Sequence, residues 1–151
     1  MPDLAVNRKA IFDYDILETY EAGIELFGFE VKSVRSGRMQ LAGSFVLMRN
    51  GQAWLVNATI PPYQPANAPA GYDPARPRRL LLHRRELEEI GGRAAQRGLT
   101  LVPLRVYTKG PRIKVAFGLA RRKKKYDRRA EIRGREDRRK IERALKGTER
   151  G

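Results

Sequence analysis

The chain has 151 residues, of which 32 are Lys or Arg and 17 are Asp or Glu, so its formal net charge is +15 at pH 7. It contains no cysteine and a single histidine, which excludes disulfide bonds, thiol catalysis and zinc fingers. No apolar run approaches the length of a membrane span, and the N-terminus lacks the apolar core of a signal peptide, so we expect a cytoplasmic protein. The charge favours a polyanionic partner, with nucleic acid as the first candidate.

The first part of the chain is predicted to contain strands and one helix. Residues 1–11 are polar and basic and show no periodicity, whereas apolar and polar residues alternate from Phe12 and predict a strand as far as residue 24. Apolar positions at helical spacing predict a short helix over 28–37 that Gly37 ends. In 44–58 two apolar segments flank Asn50-Gly51, which predicts a β-hairpin.

The second part is predicted to complete a small β protein. Residues 61–77 hold six of the nine prolines and are predicted to form an irregular surface loop, followed by a basic strand over 78–82. Residues 83–98 are predicted to form two short helices separated by Gly91-Gly92, and 99–107 and 112–120 to form two strands. About six strands and three short helices indicate a mainly β fold, a small closed or partly open antiparallel barrel over residues 1–120.

The C-terminal tail, residues 121–151, differs from the rest of the chain. It contains 15 Lys or Arg against 6 Asp or Glu, and only six residues that are even weakly apolar. Because burial of so little apolar surface cannot offset the conformational entropy lost on folding, we predict that the tail is disordered when it is not bound to a partner. Its acid-first i,i+4 pairs support a conditional helix, and its isoleucines form no stripe, which disfavours a coiled coil or a membrane-surface helix.

No catalytic motif is present, and we predict no catalytic residue, no metal site and no cofactor. His83 lies at a strand-to-helix junction and is predicted to start the helix rather than act as a general base. An acidic cluster leaves a metal-dependent nuclease as an alternative, although no spacing forces its carboxylates to converge. The cluster consists of Asp13, Asp15, Glu18, Glu21, Glu25 and Glu30.

Basic residues of the body are candidates for phosphate contacts. Asn7-Arg8-Lys9 forms one such group near the N-terminus. A second group is predicted to form one positive face, with scattered solubility charge as the alternative. It consists of Arg76, Arg78, Arg79, Arg84, Arg85, Arg112 and Lys114.

Five ordered segments that span essentially the whole chain resemble small protein B, the family of tmRNA-binding (SsrA-binding) proteins of bacteria. The segments are 7–10 (NRKA), 20–24 (YEAGI), 28–37 (GFEVKSVRSG), 79–83 (RLLLH) and 118–129 (GLARRKKKYDRR). The chain departs from the family pattern at Arg122, where a Gly is usual, and at Arg128, where a Lys is usual.

The resemblance implies an OB-like antiparallel barrel with three helices and a function in trans-translation, the rescue of ribosomes stalled on messages without a usable stop codon. The body would bind the tRNA-like domain of tmRNA. The tail would enter the decoding centre and the empty mRNA channel of the small ribosomal subunit and become helical there. Elongation factor Tu would be an indirect partner through charged tmRNA, no membrane would be involved, and we expect a monomer.

The resemblance also assigns site residues. RNA contacts carry over to Asn7, Arg8, Lys9, Tyr14, Glu21, Arg35, Leu81 and Lys114. The charges of Arg79, Arg121, Lys123 and Lys124 are predicted to add further RNA contacts. The decoding-centre motif carries over to Tyr126, Asp127, Arg128 and Arg129. A generic barrel-type RNA-binding or ribosome-associated protein with a nonspecific basic tail is the alternative function.

Overall fold

The computed structural model describes residues 3–124, which form seven β-strands, three α-helices and one 3-10 turn. The strands are β1 (Asp3–Val6), β2 (Tyr14–Ile24), β3 (Phe45–Arg49), β4 (Gln52–Val56), β5 (Arg78–Leu81), β6 (Leu99–Lys109) and β7 (Arg112–Arg122). The helices are α1 (Arg8–Asp13), α2 (Gly28–Arg35) and α3 (Arg84–Ala94), and the 3-10 turn covers Pro65–Asn67. The predicted fold class, mainly β with three short helices, is confirmed.

The sheet closes on itself within the described residues. Each strand bonds to its neighbours in the order β6-β3-β4-β5-β2-β7, β7 pairs again with β6, and β1 pairs with residues 105–107 of β6. Every pairing is antiparallel, and the result is a barrel-like ring of six strands. The eleven-residue strands β2, β6 and β7 form most of the wall, whereas β3 joins β6 through the single pair Val46 and Leu101.

The hydrophobic core fills the inside of this ring. On β7 the buried residues Ile113, Val115 and Phe117 alternate with residues that face outward, as the sequence pattern predicts. Helices α2 and α3 add apolar side chains such as Val34 and Ile90 to the same cluster. Ala10 of α1, Val102 and Ala120 form a separate small cluster, and away from it the outer surface of β2, β5 and β7 carries polar and charged groups.

The N-terminal segment is more ordered than its sequence indicates. β1 pairs with β6, and α1 occupies residues that lack periodicity. Asn7 caps α1, since its Oδ1 accepts from the Ala10 N–H at 3.2 Å and its Nδ2 donates to the Pro103 carbonyl at 2.9 Å. A four-residue strand and a six-residue helix are too short for a periodic signal and depend on such tertiary contacts. β2 consequently begins at Tyr14, and the prediction that it begins at Phe12 is wrong.

Two predicted turns are confirmed by the backbone. Gly37 has φ of +80° after α2, and its N–H donates to the Val34 carbonyl at 3.0 Å while the Arg38 N–H donates to the Ser33 carbonyl at 3.2 Å. This pair of bonds is the Schellman ending of a helix. Asn50 and Gly51 both have positive φ, 52° and 72°, as a tight β3–β4 hairpin requires.

The helical region after His83 is one helix rather than two. α3 runs through Gly91-Gly92 to Ala94, so the predicted break is wrong. A Cβ at Gly91 would lie 3.6 Å from the Met48 methyl carbon, an ordinary contact, so α3 packs beside β3 here without needing the glycine. Burial of Leu87 and Ile90 outweighs the intrinsic cost of glycine, roughly 1 kcal/mol per residue. His83 does stand at the start of α3, where its N–H donates to Glu86 Oε1 at 3.2 Å.

The end of β7 connects the body to the tail. β7 extends through Arg122, past the boundary predicted after residue 120, and the Lys123 N–H donates to the Asp13 carbonyl at 2.9 Å. The predictions of a disordered tail and of a decoding-centre motif at Tyr126, Asp127, Arg128 and Arg129 fall outside the described residues. No helix within residues 3–124 is long and apolar enough to cross a membrane.

Candidate nucleic-acid interface

A groove of about 1100 Å³ opens where β2 and β5 end and β7 begins. Five of the residues predicted to contact RNA line it: Glu21, Arg35, Arg79, Leu81 and Lys114. They come from β2, α2, β5 and β7, which are distant in sequence; β2 pairs with both β5 and β7, and Arg35 of α2 bonds to Pro111 just before β7. The fold therefore gathers about half of the body's predicted contacts into one concave surface.

A row of directly paired residues crosses this groove. Leu81 on β5 pairs with Gly23 on β2, which pairs in turn with Lys114 on β7. A Cβ at Gly23 would lie only 3.3 Å from the Leu81 Cβ, so glycine makes room for the leucine side chain. Leu81 is 47% exposed although it is apolar. An exposed apolar side chain two strands from a lysine suits a ribose or base whose phosphate lies beside it.

Glu21 is the acidic group of the groove, and its orientation is fixed by two donors. The Tyr107 hydroxyl donates to Oε2, and Lys109 Nζ donates to Oε1 at 3.1 Å. The hydrogen bond from Tyr107 is the main cause that lowers the pKa of Glu21, and Lys109 lowers it further. Burial, together with the Glu21 carboxylate, raises the pKa of Tyr107 to about 12. A carboxylate held ionised in this way can accept a hydrogen bond from a base amino group.

Tyr107 and Lys109 were not among the predicted site residues. Both lie on β6, and Tyr107 pairs with Lys114, which places it next to the groove. Their relation to Glu21 depends on the pairing of β6 with β7 and of β7 with β2. That register does not follow from the sequence of any one strand, although an aromatic residue and a lysine two apart on a strand share one face.

Two arginines of the groove, Arg35 and Arg79, are held by protein acceptors. Arg35 donates to the Pro111 carbonyl at 2.7 Å, which ties α2 to the β6–β7 turn. Arg79 lies 2.8 Å from Glu25 in an ion pair whose side chains are 43% and 61% exposed. Exposed pairs of this kind contribute about 0–1 kcal/mol to stability, so a phosphate can compete for the guanidinium group.

The paired strands β2 and β7 form a two-stranded ribbon, the β2–β7 ribbon, and the groove lies at one end of it. The other predicted contacts lie at its opposite end. Tyr14 pairs with Arg122 and Asp15 with Arg121 there, and Lys123 and Lys124 follow. Arg8 and Lys9 are exposed on the first turn of α1 beside this end. Asn7 is only 3% exposed and both polar atoms of its side chain are hydrogen bonded within the protein, so it positions α1.

Arg78 was predicted to belong to a positive face, and this is wrong. Arg78 and Glu30 are both fully buried, and Arg78 Nε and Nη2 donate to Glu30 Oε2 at 3.0 and 2.6 Å. Arg78 also donates to the Ala58 and Pro74 carbonyls at 2.8 and 2.9 Å. Alternation along β5 turns Arg78 inward and Arg79 outward, so neighbouring arginines have different roles.

The Glu30 carboxylate accepts hydrogen bonds from further donors. Arg76 pairs with its Oε1, the Phe27 N–H donates at 2.8 Å, and the Tyr72 hydroxyl donates at 2.8 Å. Burial raises the pKa of Glu30, but these hydrogen bonds and those from Arg78 lower it by more, so the pKa lies below its ordinary value. Burial, with Glu30, raises the pKa of Tyr72 to about 12. The network anchors the proline-rich loop to the barrel.

Four of the six acidic residues suggested for a nuclease have separate partners. Glu18 pairs with Arg93, Glu21 with Lys109, and Glu25 with Arg79, while Glu30 is enclosed in the core. Within residues 3–124 no group of three or more His, Cys, Asp or Glu side chains is arranged to hold a metal ion. The carboxylates therefore serve ion pairs and hydrogen bonds in several places rather than one centre.

Comparison with known proteins covers nearly the whole chain. The family model described as SmpB protein matches residues 4–147. The SsrA-binding protein of Thermosynechococcus vestitus is 50% identical over 143 residues, which cover 95% of this chain and 94% of the relative. The SsrA-binding protein of a Roseiflexus species is 54% identical over 143 residues, which cover 95% and 90%.

A solved structure is similar in both sequence and fold. It is described as "tmRNA-SmpB: a journey to the center of the bacterial ribosome", and the matching chain is 50% identical with a TM-score of 0.66. The match covers 80% of this chain and 84% of that chain.

Proposed function

The chain belongs to the SmpB protein family, and from this premise we propose that it is a tmRNA-binding adaptor of trans-translation. In this function it binds RNA and makes no covalent bond itself. An adaptor of this kind works with ribosomes in the cytosol. The collection of Glu21, Leu81 and Lys114 in one groove is the observation that carries the proposal.

The groove is proposed to bind the tRNA-like domain of tmRNA. Lys114, Arg79 and Arg35 supply positive charge for the phosphate backbone, while Leu81 offers an apolar contact. The oriented carboxylate of Glu21 supplies an acceptor that discriminates among base edges. A surface that combines charge, apolar contact and a fixed acceptor suits one structured RNA better than bulk polyanion.

The opposite end of the ribbon is proposed to contact RNA through Arg8, Lys9, Arg121, Lys123 and Lys124, with Tyr14 beside them. The domain boundary predicted after residue 120 is proposed to separate this RNA-binding body from a tail that enters the decoding centre and the empty mRNA channel. Within the tail the proposed contacts are Tyr126, Asp127, Arg128 and Arg129. Elongation factor Tu is proposed to take part indirectly, through charged tmRNA.

The RNA recovered with the full-length protein tests the partner. A tagged chain is purified from bacteria under native conditions and the bound RNA is sequenced. We expect tmRNA to dominate. A spread of tRNA and mRNA fragments, together with equal salt dependence for all of them, would favour a generic RNA-binding protein instead.

A shortened chain tests the division of labour. Ending the chain after Lys124 rather than after Ala120 preserves β7 and the bond from Lys123 to Asp13. We expect this variant to bind the tRNA-like domain with nearly the affinity of the full chain and to fail to support tagging of stalled translation products. Normal tagging by this variant would contradict the proposed role of the tail.

A further inference from the structure

A second concave surface of about 400 Å³ borders the groove. It is lined by Glu25, Gln52, Trp54, Arg76 and Arg79. Gln52 and Arg79 also line the groove, so the two surfaces are continuous. Of its lining residues only the two arginines, Arg76 and Arg79, were predicted to contact phosphates, and the surface therefore extends beyond the proposed site.

Trp54 is the aromatic centre of this surface. On β4 its neighbours Ala53 and Leu55 are buried in the core, so Trp54 faces outward, where it is half-buried. It pairs with Leu47 on β3 on one side and with Arg79 on β5 on the other. Leu47 is 42% exposed. The outer face of these strands thus presents a tryptophan with an exposed leucine on one side and a cation on the other.

Cations and aromatic rings are interleaved at this surface. The Arg76 guanidinium lies 4.0 Å from the centroid of the Phe27 ring, and Phe27 is 51% exposed. Arg79 is held by Glu25 in an ion pair that is open to solvent. Aromatic faces stack on unpaired bases and arginines contact the phosphates between them, so this chemistry fits single-stranded RNA.

We propose that Trp54 is a stacking platform for an unpaired nucleotide of the RNA that occupies the groove. The nucleotide reaches Trp54 across Gln52 and Arg79, which both surfaces share. This inference rests on the proposed function, because it takes the groove to be filled by the tRNA-like domain of tmRNA. It adds a base-stacking residue to a surface otherwise described by charge and hydrogen bonding.

Trp54 is the single tryptophan of the chain, so fluorescence excited at the red edge of absorption, where the six tyrosines do not absorb, reports on this surface alone. The full-length protein is titrated with the tRNA-like domain of tmRNA, and the affinity is measured independently by filter binding. We expect tryptophan emission to be quenched in a saturable way, with the same midpoint as the filter-binding curve. A fully paired, blunt-ended RNA duplex should leave the emission unchanged after correction for absorption by the RNA.

Substitutions provide the second measurement. Trp54→Ala should weaken binding of the tRNA-like domain about 5- to 150-fold, the range that corresponds to one lost base–aromatic stack. Trp54→Phe keeps a ring and should lose less. Leu17→Ala is the matched control, since Leu17 is 47% exposed on β2 and lines neither surface, and it should bind as the parent does. Circular dichroism checks that each variant is folded.

The outcomes separate this inference from the function on which it rests. Tight binding of the tRNA-like domain with unchanged emission overturns the role of Trp54 and leaves the proposed function intact, whereas failure of the parent chain to bind overturns both. Emission that changes on concentrating the protein without RNA would assign the surface to a second copy of the chain. If Trp54→Ala does not fold, the fluorescence titration of the parent decides alone.

Discussion

Glu30 and Glu21 have similar partners and different roles. Each carboxylate accepts a hydrogen bond from a tyrosine hydroxyl and pairs with a cationic side chain. Glu30 is fully buried with Arg78, whereas Glu21 is exposed at the edge of the groove. Position relative to the closed sheet, rather than the type of partner, decides whether such a cluster holds the fold or is available to a ligand.

The energetic difference follows from solvation. Removing one partner of a buried pair leaves an uncompensated charge in the core, which costs about 3–5 kcal/mol. Removing one partner of an exposed pair costs about 0–1 kcal/mol, because water solvates the remaining group. Variants of the two glutamates should therefore affect different measurements.

The largest effect is expected for Glu30→Ala. The free energy of unfolding in urea should fall by about 3–5 kcal/mol, since Arg78 would keep its charge in the core without a carboxylate. Glu25→Ala, which breaks the exposed pair with Arg79, is the control and should cost no more than about 1 kcal/mol. Equal losses in the two variants would contradict the distinction between buried and exposed pairs.

The next largest effect is expected for Glu21→Ala, and in RNA binding rather than in stability. Affinity for the tRNA-like domain should fall by about 1–3 kcal/mol, the range for a lost contact to a base edge, while the unfolding curve stays close to that of the parent. Filter binding at fixed salt measures the affinity. A variant that binds normally would remove Glu21 from the proposed interface.

A smaller effect is expected for Tyr107→Phe, which deletes only the hydroxyl that donates to Glu21. Lys109 still contacts the other carboxylate oxygen, so affinity for the same RNA should fall by about 0.5–1.5 kcal/mol. Combined with Glu21→Ala, the loss should be less than the sum of the two single losses, because the tyrosine acts through the glutamate. Additive losses would show that Tyr107 contacts the RNA by another route.

The smallest effect is expected when the pH is lowered, and it concerns the free energy of unfolding. The pKa of Glu30 is lowered in the folded protein, so the unfolded chain takes up its proton first as pH falls. The stabilisation by Glu30 is present above the unfolded value of about 4.3 and is lost as pH falls towards the folded value. Urea titrations at about pH 6 and pH 4 should show a loss of stability that is reduced in Glu30→Gln. A drop of the same size in that variant would assign the acid sensitivity to other groups.

Sequence patterns were sufficient where they were local. Alternation along residues 112–117 predicts which side of the first half of β7 is buried, and Asn50-Gly51 predicts the hairpin, because both depend on neighbouring residues alone. Arg78 was misplaced because a buried arginine looks like a surface arginine until its partner is known. Glu30 lies 48 residues away in sequence, and no local pattern connects the two.

In the candidate site, too, some residues could be predicted from the sequence and others depend on contacts between distant strands. The resemblance to a family pointed to Glu21, Leu81 and Lys114, and the structure places all three in the groove. Tyr107 and Trp54 had no comparable signal, because their relation to the groove depends on the register of β6 with β7 and of β4 with β5. Pairing across the ring, rather than residue type, makes these two side chains candidates.

The paired strands β2 and β7 set the distance between two places on the protein. The pair Gly23 and Lys114 marks the groove, and the pair Tyr14 and Arg122 marks the point where the chain leaves the sheet. These pairs are nine residue steps apart along β2, which carries a bulge, and eight steps apart along β7, a span of about 26 to 30 Å at roughly 3.3 Å per residue. The backbone hydrogen bond from Lys123 to Asp13 fixes the position of the chain just after β7. The paired strands therefore hold the groove and the point where the chain leaves the sheet at a fixed distance from each other.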